Sequence, residues 1–320
     1  MTPSTVSLRE RVSTRARYLT KARNYFAKQQ VAEVETPTIT AHAVTDPHVD
    51  CLAVENGWLR PSPEYQLKRL LCEGSGDIYE IGRVYRAGEH GSKHRQEFTM
   101  VEWYRCGYEL QQMIDDTMGF MYSTSAGSNY PIKQSTQLTY CDTFFDTVGF
   151  DPLVAETAAI KEYALQSLAN ELSPGIADAL GNDKQGWLDL IMSHLIEPAL
   201  AASATSGMAI VITHYPAGQA LLSRLSPDGQ TCERFEVFYR GCELANGFFE
   251  LADAGEQLAR FEQDRDERRA NKKPAPEIDA DFIAALERGL PDCSGVAVGL
   301  DRLIMSCEGY DSIADTLSLG

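Results

Sequence analysis

The strongest constraint on the fold lies between Arg83 and Arg105, where RVYRAGEHGSKHRQEFTMVEWYR reads as two strands joined by a charged loop. From Asp77 to Arg86, two-residue alternation puts Tyr79, Ile81, Arg83 and Tyr85 on one face and Ile78, Glu80, Gly82, Val84 and Arg86 on the other. Arg86 therefore ends a strand where the loop opens. On the return strand the same period aligns Phe98, Met100, Glu102 and Tyr104, a row that includes an aromatic ring, an acid and a phenol and is unlike an ordinary core face. An arginine fork suits a phosphate, and Phe98 offers a flat apolar surface to a base. The loop adds Glu89, His90, Lys93, His94 and Arg95. The same pattern also fits a solvent-exposed hairpin with a polar tip.

A chain of 320 residues suits one large domain or two modest ones. Its net charge of −17 argues against general electrostatic capture of a nucleic-acid backbone and leaves room for a local basic patch. The 8 cysteines contain no C-x-x-C pair, which points to reduced, mostly buried thiols in a cytoplasmic protein. No apolar run reaches membrane-spanning length, and Met1 to Glu10 lacks the apolar core of a signal peptide.

Leu8 to Gln30 reads as a helix with Leu8, Val12, Arg15, Leu19, Ala22, Phe26 and Gln30 down one face. Its Arg9, Arg11, Arg15, Arg17, Lys21, Arg23 and Lys28 read as a solvated face, the densest positive patch of an acidic chain. VAEVETP follows as a strand ended by Pro37. Two prolines stiffen the backbone around Ser62, so Ser62 and Glu64 either cap a helix over Tyr65 to Glu73 or receive a substrate ammonium group. Leu110 to Thr205 is helical in pattern. Packing helices are expected over Gln111 to Tyr122 and over Ile160 to Leu172, the latter stopped by Ser173, Pro174 and Gly175. Another is expected over Trp187 to Leu200, broken at Pro198, with His194 an ordinary partly buried histidine. Met208 to Thr213 reads as a buried strand.

Glu233 to Glu250 begins as an alternating strand and passes through Gly241 and Asn246-Gly247, a strong turn signal, with Glu243 and Glu250 flanking it. Two carboxylates so placed suit Mg²⁺ held together with phosphate oxygens, or simply face water. Asp253 to Ala270 reads as a charged helix with a capping box. In DCSGVAVGLDRLIMSC, from Asp292, glycines 295 and 299 interrupt a β-branched run before a helix. Arg302 then sits in the first helical turn, where a bound phosphate would offset its unfavourable place in the helix dipole.

Together SPEYQLKRLL, EFTMVEWYR, GCELANGFFELAD and GVAVGLDR resemble the signature motifs of class II aminoacyl-tRNA synthetases, lysyl-tRNA synthetase above all. Motif 1 corresponds to residues near 8–37, motif 2 to 83–105 and motif 3 to 295–305. The chain is similar to truncated paralogues of that enzyme, without the anticodon-binding domain, that ligate lysine, preferably (R)-β-lysine, onto a lysine of elongation factor P. The resemblance implies an α+β class II catalytic domain over 1–320, an antiparallel sheet flanked by helices, and a homodimer joined through motif 1. It further implies ATP and Mg²⁺. Arg86 would hold the α-phosphate, Phe98 would stack on adenine, and Arg302 would cover the other face of the base. Glu89, His94, Arg95, Leu244 and Gly299 would also border the nucleotide, and Glu243 with Glu250 would hold the metal. Ser62, Glu64, Tyr104, Glu250 and Ala297 would surround the amino acid.

Three positions depart from the family pattern. Gly88 stands where motif 2 has a glutamate, Arg95 where it has an asparagine, and Ala297 where lysyl-tRNA synthetases have glycine. Two rival readings remain open: a lysine-adenylate ligase acting on tRNA or a small molecule, with tRNA disfavoured by the acidic balance, and a silent paralogue that binds lysine or an adenylate.

Overall fold

The computed structural model describes residues 6–169, 171–172, 175–203 and 206–319. Helix α1 (Leu8–Gln29) leads through the two-residue strand β1 (Ala32–Glu33) into a small sheet of β2 (Ile39–Thr40), β3 (Leu52–Val54) and β4 (Gly57–Leu59). Helix α2 (Glu64–Cys72) precedes the long hairpin β5 (Ile78–Tyr85) and β6 (Glu97–Cys106). Helix α3 (Leu110–Ser125), strand β7 (Gln134–Thr139) and a helical block follow: α4 (Tyr140–Val148), α5 (Thr157–Ser167), α6 (Ile176–Leu180), α7 (Lys184–Ile191), a π turn at Met192–Ile196 and α8 (Glu197–Ser203). Strands β8 (Met208–Pro216), β9 (Thr231–Tyr239) and β10 (Cys242–Phe249), helices α9 (Ala254–Ala270) and α10 (Ala280–Gly289), strand β11 (Cys293–Gly299) and helix α11 (Leu300–Glu308) complete the order.

Eight strands form one sheet in the order β1-β5-β6-β11-β10-β9-β8-β7. All neighbours are antiparallel except the two edge pairs, β1 with β5 and β7 with β8. The α+β class is therefore as expected, with parallel pairing confined to the edges. Alternation along β6 sets the layers: Val101 and Trp103 join the core under α1, α3 and α11, while Phe98, Met100, Glu102 and Tyr104 face a cleft on the opposite side. In that core Phe26 stacks on Tyr79 at 4.0 Å between centroids and meets Trp103 edge-on at 5.2 Å. A second core lies where the helical block covers β7 and β8, and a third where α2, α9 and α10 close the other end, with Tyr65 stacked on Phe282 at 4.4 Å.

Several expectations change. The buried stripe of α1 is Thr14, Tyr18, Ala22 and Phe26, whereas Leu8 and Val12 stay 53% and 46% exposed. Part of the basic face of α1 is tied to the C-terminal end of the chain: Arg15 pairs with the buried Asp301 at 2.6 Å, the exposed Arg17 with Glu308 at 2.5 Å, and Arg11 donates to the Leu317 carbonyl, while Arg9, Arg23 and Lys28 stay exposed as expected. Pro198 does not break its helix. The π turn ahead of it lets Glu197 N–H reach the Met192 carbonyl and leaves Pro198 in a first helical turn, where a missing donor costs little. His194, on that turn, is exposed. The stop at Ser173 and Pro174 lies outside the described residues.

The β9–β10 turn is Arg240-Gly241, both with positive φ (50° and 71°), and Asn246-Gly247 lies inside β10. Gly247 is needed there for close packing, since a Cβ would stand 2.4 Å from the Phe235 ring.

Candidate active site

The cleft on the open face of the sheet is floored by β6, β10 and β11 and bordered by α2, the β5–β6 loop and the start of α11. All the residues named above for nucleotide and amino acid line it: Ser62, Glu64, Arg86, Glu89, His94, Arg95, Phe98, Tyr104, Glu243, Leu244, Glu250, Ala297, Gly299 and Arg302. Hairpin, glycine-broken strand and prolines thus converge on one space, which excludes the reading of Arg83 to Arg105 as a merely solvated hairpin.

One end is cationic. The Arg86 guanidinium lies 5.4 Å from the Phe98 ring centroid, donates to the Pro61 carbonyl at 3.3 Å and stands 3.7 Å from Glu89. Arg302 is placed by α11, whose start is pinned by Asp301: this buried carboxylate accepts from Thr99 N–H at 2.8 Å and from Arg15. Arg302 Nη1 stands 3.4 Å from Glu243 Oε2, and its Nε donates to the Lys93 carbonyl at 3.3 Å. Lys93 Nζ in turn donates to the Gly241 carbonyl at 2.6 Å, so the β5–β6 loop is clasped to the β9–β10 hairpin. Burial and the Arg302 charge lower the His94 pKa, which favours its neutral ring at pH 7.

The other end is acidic and buried. Glu102 and Glu250 are 2% and 1% exposed. Tyr104 Oη donates to Glu102 Oε1 at 2.8 Å, and Ser62 Oγ donates to its Oε2 at 2.7 Å. Ser62 also accepts from Glu64 N–H at 3.0 Å, so it satisfies the first donor of α2 from just outside the helix and orients Glu102 at once. Lys68 Nζ bridges Glu64 Oε1 at 2.7 Å and Glu250 Oε2 at 2.6 Å. Glu250 Oε1 finds no donor and faces the cleft beside Gly295. Burial pushes Glu102 and Glu250 up to about 8; neighbouring Glu64 adds to this in both, and Lys68 opposes it.

The proposed metal pair does not hold. Glu243 stands near the start of β10 and Glu250 just past its end, seven residues and roughly 20 Å apart at the strand rise, and Glu250 is committed to Lys68. The acid near Glu243 is Glu236, across the Arg240-Gly241 turn. Burial and Glu243 are among the influences that raise its pKa, and burial, Glu243 and Glu236 together push Glu197 up to about 7. Among the described residues no group of three or more His, Cys, Asp or Glu could hold a metal alone.

Four residues of the site escaped the sequence reading. Glu102 was visible by its alternation with Phe98 and Tyr104. Lys68 was visible by its four-residue spacing from Glu64. Glu236 was hidden by the misplaced turn. Asn246, hidden in the same way, lines the cleft, and its Oδ1 accepts from Arg234 Nε at 3.1 Å. An arginine has no acceptor, so this contact fixes the amide with its NH₂ as the free donor.

The family model described as tRNA synthetases class II (D, K and N) matches residues 3–319. A protein of Haemophilus influenzae named elongation factor P-(R)-beta-lysine ligase is 38% identical over 315 residues, covering 95% of this chain and 93% of the relative. Proteins of the same name from Pasteurella multocida (36%, covering 97% and 95%) and Yersinia enterocolitica (38%, covering 95% and 93%) are similar to the same extent.

Proposed function

The chain belongs to the class II tRNA synthetase family, and from that premise we propose that it is an ATP-dependent, AMP-forming ligase of a lysine-like diamino acid. By the names of its relatives, the amino acid is (R)-β-lysine and the acceptor a lysine of elongation factor P. One observation supports this most: a pocket of three carboxylates, Glu102 and Glu250 buried and Glu64 partly so, against a single ammonium, opening onto a nucleotide-sized space bordered by Arg86, Arg95 and Arg302. Such a pocket is costly when empty and is neutralised by a substrate with two ammonium groups.

No side-chain nucleophile is needed. The substrate carboxylate attacks the α-phosphorus, pyrophosphate leaves, and an amine then displaces AMP from the mixed anhydride. Glu102, Glu250 and Tyr104 hold the ammonium groups, and the free Asn246 NH₂ is placed to donate to the substrate carboxylate. Arg86 neutralises charge building on the α-phosphate, and Phe98 stacks on the base. The chain contributes positioning and charge stabilisation in a water-poor cleft. Glu243 and Glu236 suit one divalent cation, since both are hard oxygen donors and phosphate oxygens would complete its shell. Bound Mg²⁺ would neutralise phosphate charge.

The exposed Leu8 and Val12 of α1 suit a second copy of the chain. Among the described residues no helix is long and apolar enough to cross a membrane, in keeping with a cytoplasmic substrate. The decisive experiment incubates the protein with ATP, each lysine isomer and purified elongation factor P, reading intact mass and amino-acid-dependent pyrophosphate exchange. Addition of one lysyl unit is expected; absence of lysine-dependent exchange would defeat the reading.

A further inference from the structure

Lys68 has no part in the reaction as described so far. It lies on α2 with 1% of its side chain exposed, yet its ammonium touches carboxylates from two different elements, Glu64 and Glu250. The nearest contacts of the third carboxylate, Glu102, are the neutral hydroxyls of Ser62 and Tyr104. With all groups ionised, three negative charges face one positive charge, which leaves two, the number a diamino acid brings as ammonium groups. Resting on the substrate reading above, we propose that Lys68 is a positioning residue acting as a resident third ammonium. It holds Glu64 and Glu250 in place and sets the free charge of the pocket to match two ammonium groups.

The geometry explains why a lysine suits this position. Four-residue spacing puts Glu64 and Lys68 on one face of α2, and the long stem carries the ammonium across to the end of β10. Burial alone would neutralise a lysine, but Glu250 and Glu64 together raise its pKa, so Lys68 keeps its charge at physiological pH, and the full count of three carboxylates is reached when substrate ammonium groups displace the protons that Glu102 and Glu250 hold in the empty pocket. Without Lys68, Glu64 and Glu250 repel one another. They then swing apart or hold a proton more tightly than in the intact pocket, so a substrate ammonium meets a displaced partner or one that gives up its proton less readily. A monoamino acid would leave one buried charge uncompensated and is rejected on that ground.

Lys68→Met removes the charge at similar volume, and Lys68→Ala opens a space that a small alkylammonium fits. In pyrophosphate exchange, Lys68→Met should raise KM for the amino acid on the order of 30-fold, with kcat and the ATP KM within about threefold. Butylammonium should restore Lys68→Ala and raise its melting temperature, whereas 1-butanol, equal in shape but uncharged, should do neither. An unchanged amino-acid KM in folded Lys68→Met, or equal rescue by butanol, would overturn the assignment. The melting-temperature arm needs no activity. It therefore reports on Lys68 even where wild-type protein shows no exchange, a result that counts against the substrate reading instead.

Discussion

Gly295 and Tyr104 sit opposite one another on β11 and β6, and a Cβ at position 295 would stand 2.3 Å from the Tyr104 ring and 2.5 Å from Glu250 Oε1. The missing side chain is what lets the phenol and the carboxylate share the floor of the cleft. Gly295→Ala should displace both and raise the amino-acid KM on the order of 10- to 100-fold while leaving the ATP KM near wild type. Exchange kinetics with each substrate varied in turn check this, and equal losses for both substrates would count against it.

The buried acids give a pH signature. Glu102 and Glu250 carry a pKa of about 8 in the folded, substrate-free chain against an ordinary 4.5. The folded state therefore holds their protons more tightly than the unfolded state does. That contribution to stability is complete below pH 4.5 and is lost as pH rises through about 8. Melting temperature should fall between pH 6 and pH 9, and saturating lysine isomer should offset the fall. A flat profile without substrate would contradict the burial of these acids as the source of their raised pKa.

Arg95 borders the nucleotide end and has no carboxylate within ion-pair distance among the described residues. It replaces an asparagine of the family pattern with a longer cation and is expected to contact phosphate. Arg95→Ala should raise the ATP KM roughly tenfold, about 1–2 kcal/mol for one charge-assisted contact. Unchanged ATP affinity would remove Arg95 from the nucleotide site.

Ala297 pairs with Glu102 across β11 and β6 and faces the cleft. A methyl there reshapes the amino-acid end by an amount worth about 1–3 kcal/mol in discrimination. Ala297→Gly should shift preference toward α-lysine, measured as the ratio of kcat/KM for the two isomers. Equal ratios in both proteins would rule out a part for Ala297 in isomer choice.

Arg15 holds Asp301, which pins the helix that carries Arg302. Arg15→Glu should destabilise the fold by about 3–5 kcal/mol, because it breaks a buried pair and sets two acids together. Chemical denaturation tests this. Preserved stability would restore the picture of α1 as a solvated basic surface.

The β5–β6 hairpin and the converging cleft were legible because a period of two is unambiguous over eight- and ten-residue strands. The fate of the basic residues on α1 was not, because helical charge reads as solvated until the partners, such as Asp301 and Glu308, are known to fold back from the far end of the chain. Asn246-Gly247 misled for a different reason. Its glycine answers to a ring packed across the sheet from Phe235, a demand that local sequence does not record, while the real turn at Arg240-Gly241 lacks the usual asparagine. Moving that turn also moved the acid paired with Glu243 from Glu250 to Glu236.

Strand β6 alternates one residue for the interior with one for chemistry along its length. Inserting or deleting a single residue within it would turn Trp103 toward the substrate and bury Glu102 among the aromatic rings, ruining stability and activity together. Natural variants of this strand should therefore differ by substitution and not by length, with changes in chain length pushed out into the loop at its start.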